Sequence, residues 1–88
     1  MPGIAVKSGS MNPPESVRKA VDHLEQGEWE AAHNIVQADD SVEACWLHGI
    51  VHLLEGDLGN ALYWYERAGR PFCNDAAAEI VAAKKLLL

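Results

Sequence analysis

Apolar positions recur at helical intervals through most of the chain. Between Cys45 and Pro71, one run comprises Trp46, Ile50 and Leu53 and a second Leu58, Ala61, Leu62, Tyr65 and Ala68, with the break at Gly56-Asp57. This pattern predicts two amphipathic helices folded back on each other as a hairpin. Gly49 puts no side chain on the inner face of the first helix, and Ala61 and Ala68 put only methyls on the second, so the two backbones can approach closely. Upstream, Val17, Ala20, Val21 and Leu24 form another stripe. It is opened by Asn12-Pro-Pro-Glu15, with Asn12 as cap and Pro13 at the first helical position, and closed by Gly27.

A second helix is expected from about Glu28 to Ala38, with Trp29, Ala32 and Val36 inward and Glu28 and Glu30 at the positive end of its dipole. Asp40 or Ser41 should cap the third helix. The fourth should end at Gly69 with Pro71 just beyond, and Asn74 or Asp75 should cap a fifth running to the C-terminus. The expectation is an all-α fold of five helices, two hairpins and a terminal helix. Residues 1–11 carry no periodicity and read as a leader, with 12–88 a single domain. The two hairpins also echo each other: His23-Leu24, Gly27, Glu28 and Ala32 align with His52-Leu53, Gly56, Asp57 and Ala61 at a constant offset of 29.

Gly49, Gly56, Asp57, Ala61, Tyr65 and Ala68 fall where the tetratricopeptide pattern has small, turn, small, aromatic and small residues, and the run resembles one such repeat. The Trp is displaced by one, with Cys45 in its slot, and Pro71 comes about two residues early. The spacing of 29 is also shorter than the usual 34 or so, which requires clipped helices or turns. The resemblance implies an α-α superhelix of two tetratricopeptide-like hairpins plus the C-terminal helix. The same stretch, His48 to Arg70, also resembles a signature of small uncharacterised bacterial proteins, roughly HxxxHxxEGDxxNAxYWYxRAGR, which carries no known activity.

Composition narrows the function classes. The chain has 88 residues, 49% hydrophobic and 23% charged, with a net charge of −6; it is too apolar for disorder and small enough that a single core leaves roughly 3–5 kcal/mol of net stability. Between Lys19 and Arg67 there is no Lys or Arg, while ten carboxylates fall there. Such a field repels phosphate backbones, so nucleic acid is not an expected partner. No run approaches the roughly 20 apolar residues of a membrane span and no signal-peptide core is present, so a cytoplasmic protein without membrane attachment is expected. The two cysteines read as reduced thiols, Cys45 being buried in a helix.

No Gly-rich phosphate loop, nucleophile elbow or paired-cysteine metal motif occurs, so the chain reads as non-catalytic and calls for no cofactor. His48 and His52 stand at i and i+4 with Glu55 three further on, a spacing that can aim two imidazoles and a carboxylate at one metal. Gly49 occupies the place where a zincin has its Glu, and His23 recurs at the position of His52. Both favour packing histidines over a metal site. With four His among ten carboxylates, at least one imidazole is expected to have a raised pKa.

The favoured expectation is a protein–protein interaction module. By the repeat alignment, Val17, Val21, Leu24, Trp46, Ile50, Leu53 and Leu54 would line an exposed apolar groove. A second copy in a two-fold homodimer is the expected cover, ahead of a bound protein segment, the leader or the fifth helix. Trp64 and Arg67, with Tyr63, fall off the core stripe of the fourth helix and offer a second contact surface.

Overall fold

A computed structural model describes residues 14–88, which form five α-helices: α1 (Glu15–Glu25), α2 (Trp29–Val36), α3 (Val42–Glu55), α4 (Leu58–Ala68) and α5 (Ala76–Leu87). The expected leader and the Asn12 cap lie outside the described residues. α1 itself opens at Pro14, with no side-chain cap, and α2 is shorter than expected at both ends.

The remaining caps follow the sequence. Ser41 Oγ accepts from the Ala44 amide, Asp57 Oδ1 from Asn60 and Asp75 Oδ1 from Ala78, opening α3, α4 and α5. Gly27 and Gly56 sit in the left-handed region at φ 77° and 85°. In both turns the amide after the glycine bonds back to a histidine carbonyl, Glu28 to His23 and Asp57 to His52, and the glycine amide bonds to Leu24 or Leu53. These are two copies of one Schellman turn, 29 residues apart, so the aligned glycines terminate helices in the same way.

α3 is the central element. It packs against α4, α2, α1 and α5, and every residue from Ala44 to Leu53 is buried. Hydrophobicity all round a helix is what such a position demands. Gly49 is where α4 comes closest: a Cβ there would stand 2.5 Å from Tyr65 Cδ1 and 3.4 Å from the Ala61 carbonyl oxygen.

The groove expected from the repeat alignment is filled by the chain itself. α5 packs on both α1 and α3, and Val17, Val21, Leu24, Trp46, Ile50 and Leu53 are all buried core residues, with Leu54 packed partly against them. Within the single chain, then, six of these seven residues are buried core and Leu54 is partly buried, so the face expected to be an open groove is covered by α5. The physical reason lies in α5, where Ala76, Ile80, Ala82, Ala83 and Leu87 make a slim apolar face that nests on the two helices. Glu79 fixes it in place. Its Oε1 accepts from Trp46 Nε1 at 3.0 Å and from the Tyr65 hydroxyl at 2.6 Å, tying α5 to α3 and α4 through one carboxylate. No helix among the described residues is long and apolar enough to cross a membrane.

Candidate metal centre

Among the described residues, three imidazoles converge at the seam between α2 and α3. α2 turns Ala32 and Val36 into the core, which leaves His33, one residue beyond Ala32, facing α3 at the edge of the buried face. α3 brings His48 and His52, one turn apart, to the same place. Each of the three imidazoles offers a ring nitrogen, and these nitrogens all lie within 4.8 Å of one another. Around a tetrahedral zinc with Zn–N near 2.0–2.1 Å, neighbouring nitrogens are about 3.4 Å apart. At most about 1.4 Å of closure is needed, within reach of side-chain rotation by the half-buried His33.

The rings are held in a definite stack. His48 lies between Trp64 of α4, 3.9 Å away at 8° between planes, and His52, 5.1 Å away at 20°. His33 meets both edge-on, with centroids at 4.7 and 5.6 Å. Trp64 thus packs on His48, while the Arg67 guanidinium stands 5.3 Å from the Trp64 ring and 5.8 Å from that of Tyr63.

His52 Nδ1 is 2.7 Å from Glu55 Oε1. A carboxylate accepts, so Nδ1 is the donor, the arrangement by which an outer carboxylate orients a metal-binding imidazole. The sequence proposed Glu55 as a third ligand alongside His48 and His52; the geometry puts it behind His52, with His33 in the third position. Asp57 also approaches His52 and Glu55, but its carboxylate is engaged by the Asn60 amide and side chain at the start of α4.

Burial, followed by the neighbouring His33 and His52, lowers the His48 pKa to about 4. The expectation that acidic neighbours would raise an imidazole pKa is not met at this residue, because its near neighbours are other imidazoles and an indole. His48 is therefore neutral at pH 7.

His33 is the residue that sequence reasoning missed. A signal was present: in the 29-residue alignment His33 pairs with Leu62 and His48 with Lys19, so neither recurs as an architectural histidine would. Only His52 has a counterpart, His23, which contacts Glu28 at 2.7 Å beside the first turn.

In front of the cluster is an open cleft of about 430 Å³ lined by Trp29, Glu30, His33 and Asn34 from α2 and His52 and Glu55 from α3. No family model, curated protein or solved structure matches the chain.

Proposed function

We propose that this chain is a small metal-binding helical protein that holds a divalent transition ion on His33, His48 and His52. The observation that carries this reading is the convergence of three imidazoles from two helices, one of them with a carboxylate on its Nδ1. All-nitrogen donors with no thiolate among them suit Zn²⁺, Cu²⁺, Ni²⁺ or Co²⁺ over Mg²⁺ or Ca²⁺. The ion would bridge the two hairpins, since His33 belongs to the first and His48 and His52 to the second.

The test is metal analysis after equilibration with zinc and dialysis. Wild type should retain one zinc per chain; His33→Ala and His48→Ala should lose it while keeping their helical circular dichroism, and Glu55→Gln should bind about 10–100-fold more weakly. Substoichiometric zinc in the wild type, or equal retention by His33→Ala, would contradict the proposal.

A second reading, the interaction module, is supported by one surface. α4 lies against α3 and meets α5 through Tyr65, and its outer side presents Leu58, Leu62 and Tyr63, each 44–49% exposed, beside Arg67. An aromatic–arginine pair rimmed by leucines has hot-spot composition in part. It ranks second because nothing about this surface selects a partner.

A further inference from the structure

We infer that the ion held by the three imidazoles keeps one coordination position open to the cleft, and that this position takes a small uncharged oxygen or nitrogen donor, water by default, in preference to an anion. The inference rests on the metal-binding reading above and adds to it the ligand that the ion would exchange.

The openness follows from where the three histidines sit. His33 and His52 line the cleft, whereas His48 does not and is only 5% exposed. An ion on all three is thus gripped from the floor and from two walls, and its remaining side faces the cleft. Three protein nitrogens leave a tetrahedral ion one ligand short, the ligand count of exchangeable zinc centres; structural ones are closed by four protein ligands. A fourth protein ligand is not at hand among the described residues: no carboxylate or thiol joins the three ring nitrogens within 4.8 Å. Glu55 is engaged by His52 Nδ1.

The preference for an uncharged ligand follows from the rim. Glu30 and Glu55 both line the cleft, and the chain has no Lys or Arg from residue 20 to residue 66. Two carboxylates offset the charge of a divalent ion as seen from the cleft mouth, so an approaching anion meets little net attraction. A neutral donor loses nothing by this. Trp29 gives it an apolar wall and Asn34, one turn beyond Glu30 on α2, an amide that can donate or accept a hydrogen bond. The amide and the carboxylates together suit a ligand that has N–H or O–H groups to donate as well as a lone pair for the metal.

Cobalt(II) in place of zinc makes the coordination sphere visible. Full-length protein loaded with cobalt, its stoichiometry checked by metal analysis, is titrated at pH 8 with imidazole, which is then uncharged, and separately with azide. Imidazole should shift the d–d bands saturably without removing the metal. Azide should bind about tenfold more weakly, and Glu30→Gln should narrow that gap by about three- to fivefold through tighter azide binding. A loaded protein whose bands respond to neither ligand has a closed coordination sphere and overturns this inference alone, as does azide binding as tightly as imidazole. Failure of cobalt to load at all overturns the metal-binding reading, and this inference with it.

Discussion

A buried neutral imidazole makes a fold sensitive to acid, and His48 is such a residue. Its pKa lies near 4, below the ordinary value of 6.5, through burial first and the two neighbouring histidines second. The groups that face it are His33 from α2, His52 from its own helix, and Trp64 with Arg67 beyond from α4. Because the folded pKa is depressed, the neutral form is what the fold favours. The stability it confers is fully present above pH 6.5 and is lost as the pH falls toward 4. Metal-free protein should therefore lose roughly 2 kcal/mol between pH 7.5 and 5 from this residue, a fall of several degrees in Tm, and His48→Gln should flatten that dependence. Melts that rise toward pH 5 would show instead that carboxylate neighbours govern the histidines. That is the natural inference from a chain with four His among ten nearby acids; acidic neighbours do stand at His23 and His52, but composition does not say which histidine meets them, and the rings around His48 are imidazoles and an indole.

At the scale of elements, the hairpins were legible because their signals are local. Ser41, Asp57 and Asp75 cap helices, and Gly56 and Gly69 end them at φ 85° and 69°, all within a few residues of the pattern that announces them. The close approach of α3 and α4 was also written in Gly49. Replacing that glycine with alanine would drive a methyl to 2.5 and 2.7 Å from two ring carbons of Tyr65. The ring has little freedom to yield, being fully buried and held by its hydroxyl on Glu79. Gly49→Ala should accordingly destabilise the protein by about 1–3 kcal/mol in denaturant unfolding, despite the better helix propensity of alanine. A neutral or stabilising effect would mean that the two helices are farther apart than described here. The groove, by contrast, was misjudged. Amphipathy identifies an apolar face but not its cover: α5 was among the possible covers, but nothing local in its small residues ranked it ahead of a second copy, and the reach of Glu79 to both Trp46 and Tyr65 is a long-range contact. The candidate site was half legible for the same reason: the i, i+4 pair His48 and His52 is a local feature of one helix, whereas His33 joins it only through the crossing of α2 over α3.

For the whole molecule, an ion on the three histidines, as proposed, would give a chain of 88 residues a link between its two hairpins beyond its apolar core. An ion that binds only the folded state adds stability in proportion to the logarithm of its concentration over Kd, about 2.7 kcal/mol at a hundredfold excess over Kd. That is comparable with the few kcal/mol expected of so small a core. The account stands or falls on the coordination sphere of that ion, which X-ray absorption fine structure of the zinc-loaded protein reports directly. The predicted spectrum has three imidazole nitrogens and one further light donor at about 2.0–2.1 Å with no sulfur. A sulfur shell near 2.3 Å, or only two imidazoles, would contradict the assignment to His33, His48 and His52.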